Sequence, residues 1–197
     1  MLFCYNYKMK VFLIDNGTTL LQKLENLIPG IETVEQAEKV SEKDTDTYDL
    51  VVLSGSSKEQ LIGNESDFKN EIDFIHSTRK PLIGICFGCE LIVSAFGGEL
   101  RKLDRSHKGI KEIEILQPEL SDGKQKISVY ENHGWIMRGA PATFEVLAQS
   151  ADGPEMIRHQ VLPIYGLQFH PENFIDQTEG DELFLNLFRL IKDGSGI

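Results

Sequence analysis

The sequence predicts an α/β fold: a flavodoxin-like central sheet, parallel or mixed, with helices on both faces and an additional antiparallel strand region in the C-terminal half. Two observations predict it. Up to about residue 98, short apolar runs alternate with stretches of helical periodicity, an order typical of parallel strands joined by helices. Beyond residue 99 some runs alternate apolar and polar residues, as in 111–115, which indicates antiparallel strands with one solvated face.

The first half contains four predicted strands and three predicted helices. The strands are residues 10–15, 31–34, 48–53 and 81–85. The first helix carries leucines at helical spacing, begins at a cap provided by Thr18 or Thr19, and ends at Pro29 and Gly30. The other two helices are predicted over residues 65–78 and 87–96. A polar segment reaches Thr47 before the third strand begins.

The second half is predicted to be mainly strand. Six strands are expected, at residues 99–103, 111–116, 126–130, 144–149, 156–159 and 164–169. A last helix covers residues 181–191, and the tail over 192–197 is expected to be loose. The 197 residues contain neither a repeat nor a linker, so we expect one domain spanning residues 1–197.

Composition excludes several classes of function. The formal net charge is -11, from 31 acidic and 20 basic residues, and such a chain repels nucleic acid. No apolar run approaches the ~18 residues that a membrane span needs, so no membrane partner is expected. The opening MLFCYNYKMK lacks the apolar segment of a secretory signal. We therefore expect a cytoplasmic protein.

The cysteines suggest a reducing compartment. Cys4, Cys86 and Cys89 are too few, and odd in number, for a disulfide framework. Cys86 and Cys89 form a C-x-x-C pair, but no second pair of zinc ligands stands at a suitable spacing. The sequence therefore predicts no metal site. It also predicts no cofactor, and it lacks the glycine-rich loop G-x-x-x-x-G-K-[ST] that binds ATP.

Residues 84–88 read Gly-Ile-Cys-Phe-Gly at the junction of a strand and a helix. This is the cysteine counterpart of the nucleophile elbow, a strained turn in which a flanking Cβ would collide with neighbouring elements. The turn would raise the Cys86 sulfur above the sheet, where the helix N-terminus favours the reactive thiolate. The amide of Phe87 would point into the same space and could donate to an oxyanion. The competing interpretation is a small apolar cysteine in the core.

A candidate base and its orienting acid lie near the C-terminus. The predicted strand over 164–169 is followed by His170, Pro171 and Glu172. Pro171 holds the backbone extended, and in an extended chain residues two apart point the same way. His170 and Glu172 can therefore meet, which is the Cys-His-acid arrangement of a thiol hydrolase. The following histidines are interpreted as structural: His76, His107 and His159.

Together these motifs resemble the class I (triad-type) glutamine amidotransferases, such as the glutaminase domains or subunits of GMP synthetase, anthranilate synthase and carbamoyl-phosphate synthetase. The resemblance covers nearly the whole chain, since residues 12–17 are also similar to the family's first strand and turn. It implies that Cys86 attacks the side-chain amide of glutamine, forming a thioester and releasing ammonia. It also implies that His170 transfers the protons and that Glu172 orients His170.

The resemblance further implies two amide donors for the tetrahedral intermediates. One is the amide of Phe87. The other comes from the turn over residues 54–57, at Gly55 or Ser56. Removal of one such donor typically costs ~10²–10³ in rate. Read without the resemblance, these four residues are an ordinary turn.

Residues 132–135, Asn-His-Gly-Trp, are similar to an Asn-His-Gly-aromatic segment in the small subunit of carbamoyl-phosphate synthetase. The resemblance implies that Asn132, Gly134 and Trp135 hold the α-amino and α-carboxylate end of the substrate. Core packing is the alternative for Trp135. For His133 we predict a turn residue with its ring in solvent.

Glu90 departs from the family pattern Cys-x-Gly-x-Gln, in which the glutamine side chain touches the substrate. An ionised carboxylate accepts hydrogen bonds but cannot donate them, and it would repel the α-carboxylate of glutamine. Two interpretations remain open. The site prefers a γ-glutamyl amide or amine, or Glu90 is protonated.

Three functions follow from these observations. The leading one is a glutaminase that delivers ammonia to a separate ATP-dependent synthetase subunit, with GMP synthetase among the candidates. The second is a standalone γ-glutamyl hydrolase, toward which Glu90 leans. The third is a binding or regulatory module without activity, against which the intact Cys86, His170 and Glu172 argue.

Overall fold

The computed structural model describes residues 9–37, 47–58 and 60–194. Within these ranges nine strands form one sheet. In chain order they are β1 (Val11–Asp15), β2 (Ile31–Gln36), β3 (Leu50–Leu53), β4 (Leu82–Ile85), β5 (Leu100–Ile115), β6 (Lys126–Met137), β7 (Phe144–Ser150), β8 (Gly153–His159) and β9 (Ile164–Leu167). The α-helices are α1 (Leu21–Leu27), α2 (Lys69–Ser77), α3 (Phe87–Ala95) and α4 (Gly180–Lys192).

The sheet has a parallel half and an antiparallel half. Its strand order is β2-β1-β3-β4-β9-β8-β7-β5-β6. The first five strands in this order are parallel, and the other neighbours are antiparallel. This confirms the predicted flavodoxin-like sheet with an antiparallel extension. In the β4–β9 register Ile85 pairs with Leu167. The residues that follow these two strands therefore begin at the same edge of the sheet.

Helices cover both faces of the parallel half, as predicted. In β1, Leu13 packs into one buried cluster with α1 and α4, while its neighbour Phe12 packs into a second cluster with α2 and α3. The same alternation recurs in β3 and β4, whose residues are all fully buried. A strand covered on both faces reads as a continuous apolar run, which is why these strands were visible in the sequence.

The antiparallel half differs from the prediction in one respect. Residues 99–103 and 111–116 were predicted as separate strands, but β5 is one strand of 16 residues. It pairs with β6 almost throughout, so β6 also runs past residue 130 to Met137. Only Glu114 and Ile115 of β5 pair with β7. The rest of the β5–β6 pair is a ribbon with little sheet beside it, and many of its side chains are exposed and polar. An exposed ribbon lacks the apolar alternation that marks a strand.

Helix boundaries agree with the prediction except at one cap. Neither Thr18 nor Thr19 caps α1: Leu20 occupies the cap position without a side-chain bond, and the Thr18 hydroxyl instead accepts a hydrogen bond from the Leu20 amide. The second helix begins with a 3-10 turn at Glu65–Phe68. Cys4 and residues 195–197 of the predicted loose tail lie outside the described residues. No helix in the described ranges has the length and apolar character needed to cross a membrane.

Candidate active site

Cys86 lies in the strand-to-helix turn that the sequence predicted. It joins β4 to α3 with φ of 50° and ψ of -104°, a conformation that residues with a side chain rarely adopt. The two flanking glycines are required sterically. A Cβ on Gly84 would stand 2.4 Å from the carbonyl oxygen of Gly88, and a Cβ on Gly88 would stand 2.5 Å from the carbonyl oxygen of Leu53. Strand, turn and helix thus pack backbone against backbone around the cysteine.

His170 and Glu172 meet as their spacing predicted. Nδ1 of His170 lies 2.8 Å from Oε1 of Glu172, and both side chains are buried. The backbone N–H of His170 donates to the carbonyl oxygen of Tyr130 on β6, at 2.8 Å. The imidazole is therefore held at one ring nitrogen by a carboxylate and at its backbone by the antiparallel half of the sheet.

The structure brings Cys86 to the same imidazole. Burial opposes a charge on His170, but the sulfur of Cys86, by charge and hydrogen bond, and the carboxylate of Glu172 together raise the pKa of His170 well above its usual value. Because Nδ1 is engaged by Glu172, the other ring nitrogen is the one available to the sulfur. The resulting order is sulfur, imidazole and carboxylate, as in a thiol hydrolase.

The turn after β3 borders both the sulfur and the imidazole. A Cβ on Gly55 would stand 3.1 Å from Cε1 of His170 and 3.6 Å from Cβ of Cys86. The buried hydroxyl of Ser54 donates to the carbonyl oxygen of Gly55 at 2.8 Å and accepts from the backbone N–H of Asn16 at 2.9 Å. In a trans peptide the N–H points opposite to the carbonyl, so this bond also sets the direction of the Ser56 amide.

Glu90 lies buried one turn along α3 from Cys86. Its backbone N–H donates to the Cys86 carbonyl oxygen at 3.0 Å. Burial raises the pKa of Glu90 to about 8, although a hydrogen bond from the Gln168 side chain partly offsets the effect. The carboxyl group is therefore mostly neutral at pH 7 and can donate a hydrogen bond. Sequence reasoning missed Gln168, which stands two residues before His170 in the same motif.

Cys89 is a core residue. It is fully buried, and burial, with Glu90, Cys86 and Glu155 nearby, raises the pKa of the Cys89 thiol well above its usual value. A Cβ on Gly166 of β9 would stand 2.6 Å from Sγ of Cys89, so the thiol fills the space above that glycine. The two cysteines of the C-x-x-C therefore occupy different environments, and both are free thiols.

Comparison with known proteins places the chain in a family. The sequence profile of the class-I glutamine amidotransferases matches residues 12–190. This chain belongs to the class-I glutamine amidotransferase family. A cysteine elbow facing a histidine and a glutamate at the edge of a parallel sheet is thus found in a protein of the family that the motifs indicated.

Similar sequences bear one name, that of the glutamine-hydrolysing GMP synthase subunit. The chain is 36% identical over 145 residues to this subunit from Pyrococcus abyssi, covering 71% of this chain and 74% of that protein. It is 29% identical over 194 residues to the subunit from Thermococcus kodakarensis, covering 91% of this chain and 97% of that protein. For the subunit from Archaeoglobus fulgidus the identity is 31% over 193 residues, with coverages of 95% and 96%.

Solved structures share the fold of this amidotransferase. A chain from Thermoplasma acidophilum superposes with a TM-score of 0.82 at 24% identity, covering 96% of this chain and 97% of that one. A glutamine amidotransferase from Thermotoga maritima superposes with a TM-score of 0.66 at 16% identity, with coverages of 97% and 87%. At these identities the likeness concerns the fold alone.

The predicted substrate segment of the amidotransferase is part of a strand. Asn132, Gly134 and Trp135 lie on β6, beyond Tyr130, whose ring centroid is 6.4 Å from that of His170. Because side chains alternate along a strand, Asn132 and Gly134 share a face with Tyr130, and Trp135 lies on the other. Asn132 is exposed, and Trp135 is half-buried with the Lys102 ammonium 6.0 Å from its ring centroid. Sequence reasoning missed Tyr130, the last residue of the shorter strand that it predicted.

The prediction for His133 was wrong. Its ring is only 2% exposed and lies beside Glu131, with Nε2 3.3 Å from Oε2. The error follows from the strand length: because β6 continues through residue 133, the ring is directed to a covered face of the strand instead of into solvent.

The segment after Glu172 is anchored to α1. Asn173 is buried, and its side-chain oxygen accepts a hydrogen bond from Nζ of Lys23 at 2.6 Å. The same ammonium stands 5.8 Å from the ring centroid of Phe174, whose φ is 56°. These contacts fix the chain immediately beyond Glu172, which helps to keep its carboxylate on His170.

Proposed function

We propose that Cys86 is the nucleophile of this amidotransferase, that His170 is its acid and base, and that Glu172 orients His170. One observation carries the proposal: the Cys86 sulfur and the Glu172 carboxylate act on the same buried imidazole. A nucleophile beside a base that a third group holds in place is the arrangement that covalent acyl transfer requires.

Each of the three residues has one task. The sulfur of Cys86 attacks the side-chain carbonyl carbon of glutamine, and the C–N bond breaks as the protonated His170 gives its proton to the leaving nitrogen. Ammonia departs and a thioester remains. His170 then takes a proton from water, whose oxygen attacks the thioester carbon and releases glutamate and the sulfur. Glu172 stabilises the imidazolium in the states where His170 carries the extra proton.

Two backbone amides would stabilise the oxyanion of both tetrahedral intermediates. The Phe87 amide is at the first turn of α3, where backbone N–H groups have no partner within the helix. The second donor is the amide of Gly55 or Ser56. The hydrogen bond from Ser54 to the Gly55 carbonyl favours Ser56, because it fixes the orientation of the Gly55–Ser56 peptide.

Glutamine is the substrate that the site fits best. The neutral carboxyl of Glu90 removes the charge repulsion that an ionised group would impose on the α-carboxylate, and it offers an O–H donor in place of the amide N–H of a glutamine side chain. We propose that Asn132, Gly134 and Trp135 contact the α-amino and α-carboxylate end.

We propose that the ammonia passes to a separate ATP-dependent synthetase subunit, and that the pair is a GMP synthase. The support is the name of the relatives, which are glutamine-hydrolysing GMP synthase subunits matched over most of their length. We further propose that residues 1–197 act as one domain in the cytoplasm.

The nucleophile is tested with Cys86→Ala and the matched variant Cys89→Ala. Ammonia release from glutamine should be abolished in Cys86→Ala and retained in Cys89→Ala, with circular dichroism reporting an unchanged fold in both. Trapping of a labelled thioester should likewise require Cys86. Glutamine hydrolysis by a folded Cys86→Ala protein would refute the assignment.

The partner is tested by co-purification from the native cell, followed by a glutaminase assay with and without the captured synthetase. A glutaminase subunit should be stimulated strongly by its partner and its nucleotide substrate. The alternative, a standalone γ-glutamyl hydrolase, was suggested by Glu90 and would turn over fully alone and accept other γ-glutamyl amides. Full activity of the isolated chain on such amides, without stimulation, would favour that alternative.

A further inference from the structure

A buried polar cluster lies in the antiparallel half, outside the proposed catalytic residues. It consists of Glu131 and His133 on β6 and Glu155 on β8, and their side chains are 0%, 2% and 2% exposed. One potential ligand atom from each lies within 4.8 Å of the other two. Strands β6 and β8 are separated in the sheet by β7 and β5, so this contact is made by the curl of the sheet and not by strand pairing.

The cluster contains polar atoms that its neighbours leave unmatched. Nζ of Lys111 lies 3.3 Å from Oε2 of Glu131 and 3.4 Å from Oε1 of Glu155. The other oxygens, Oε1 of Glu131 and Oε2 of Glu155, have no aligned hydrogen-bond donor among the described residues, and neither has the ring of His133. The two carboxyl groups also face each other, a contact that is favourable only when a proton or a cation lies between them. Buried polar groups in this condition are costly.

Charge in the cluster is unbalanced in the same sense. Glu131, Glu155 and the adjoining Asp152 carry three negative charges, and Lys111 supplies one positive charge. With neutral imidazoles the sum is -2. His107 contacts Asp152 at 2.9 Å, so protonation of His107 and His133 is the competing way to balance the site. A single divalent cation would neutralise it without protonating either ring.

We propose that Glu131, His133 and Glu155 bind a divalent transition-metal ion, with Zn²⁺ the best match to one imidazole and two carboxylates. Zinc accepts such nitrogen and oxygen ligands at about 2.0–2.2 Å, which separates tetrahedral ligand atoms by roughly 3.4 Å. The three side chains are already within 4.8 Å, so rotations that close the site by about 1 Å suffice. The Ser150 hydroxyl, which donates to Glu155 Oε1 at 2.6 Å, holds that carboxylate in place.

The ion would have a structural role, because its ligands are enclosed and tie β6 to β8. Both strands support the proposed catalytic histidine segment. The Tyr130 carbonyl on β6 accepts the His170 N–H, and the Glu155 carbonyl on β8 accepts the Gln168 N–H, each at 2.8 Å. The sequence prediction of no metal considered cysteine pairs, whereas these ligands stand on two separate strands and converge only through the curl of the sheet.

The test is a titration of ZnCl₂ into the chelator-stripped full chain by calorimetry. Because a thiol beside an imidazole also binds zinc, the reference protein is Cys86→Ala. It should bind one Zn²⁺, and the added substitution His133→Ala should weaken binding more than about 100-fold, since even an outer-shell change costs ~10–100-fold. The matched variant carries His76→Ala, which removes an exposed histidine on α2. It should bind like the reference.

Two further measurements keep the proposal falsifiable if the His133 variant does not fold. Zinc at about 100 times its Kd should raise the Tm of Cys86→Ala by roughly 5–10 °C. Co²⁺ bound to the wild-type chain at this site should show ligand-field bands without a thiolate charge-transfer band. Absence of stoichiometric zinc binding by folded Cys86→Ala, or full binding by its His133→Ala derivative, would overturn the proposal and leave a cluster balanced by protons.

Discussion

Gly55 and His170 are in contact at the closest approach that a glycine permits: a Cβ on residue 55 would stand 3.1 Å from Cε1 of the imidazole. At this distance the imidazole must give way by a few tenths of an ångström. Because His170 is held by Glu172 on one side, the displacement falls on its approach to the Cys86 sulfur.

We therefore expect Gly55→Ala to lower kcat for glutamine about 10-fold or more, since small misplacements of reacting groups are costly, and to leave the fold unchanged. Gly139→Ala is the matched control, because a Cβ there meets nothing within 4 Å. Steady-state ammonia release from both variants measures the effect. Equal activity in the two would mean that the imidazole has room to move.

Backbone strain at Cys86 makes a prediction that does not involve activity. Its φ of 50° costs a residue with a Cβ about 1–2 kcal/mol, whereas glycine adopts it freely. Cys86→Gly should therefore be more stable than Cys86→Ala, by about 0.5–1 kcal/mol after the extra chain entropy of glycine is subtracted. Urea denaturation of both variants measures the difference. At Cys89, inside α3, the order should reverse, with alanine about 1 kcal/mol more stable than glycine.

Glu90 makes the activity dependent on pH. Its pKa of about 8 means that the carboxyl is neutral below that pH and becomes a buried anion above it. The ratio of kcat/KM of Glu90→Gln to that of the wild type should stay level up to about pH 7 and rise through pH 8 and above. Taking the ratio cancels the titration of the other catalytic groups. A ratio that falls as the pH increases would show that the anion contacts the substrate favourably.

The same residue affects stability with a defined sign. The folded-state pKa of Glu90 is raised from an ordinary value of 4.5 to about 8, so its favourable contribution is fully present below pH 4.5 and is lost as the pH rises toward 8. Glu90→Gln, which stays neutral, should gain in unfolding free energy relative to wild type from about pH 5 to pH 8 and then level off. Urea titrations at several pH values measure this gain. The exposed substitution Glu119→Gln should show no such trend.

Cys89 and Gly166 should be energetically coupled. A Cβ on Gly166 would stand 2.6 Å from the Cys89 sulfur, so Gly166→Ala overpacks the core and should cost about 1–3 kcal/mol. Cys89→Ala removes the sulfur, and the double variant should recover at least about 0.5 kcal/mol of the sum of the two single losses. Additive losses in a double-mutant cycle would mean that the Ile157 side chain, 3.0 Å from the same Cβ position, dominates the clash.

Much of the fold was predictable because local physics dominates in the parallel half. Strands buried on both faces read as apolar runs, as at 82–85, and the helices between them show one apolar stripe. The β5–β6 ribbon was predicted only in part, because its exposed residues give no periodic signal. Leu20 in place of a threonine at the α1 cap shows that a suitable cap residue nearby does not decide where a helix begins.

The sequence by itself determined the elements of the candidate site: a cysteine between glycines at a strand end, and a histidine and glutamate two residues apart on extended chain. Spacing along one strand or turn fixes such relationships because backbone geometry is local. Only the tertiary structure decided which distant groups meet them. It put Gly55 against His170, Gln168 against Glu90, and the buried His133 between two glutamates. Those contacts, and the pKa values that burial raises, depend on how the sheet pairs and curls, which no local pattern encodes.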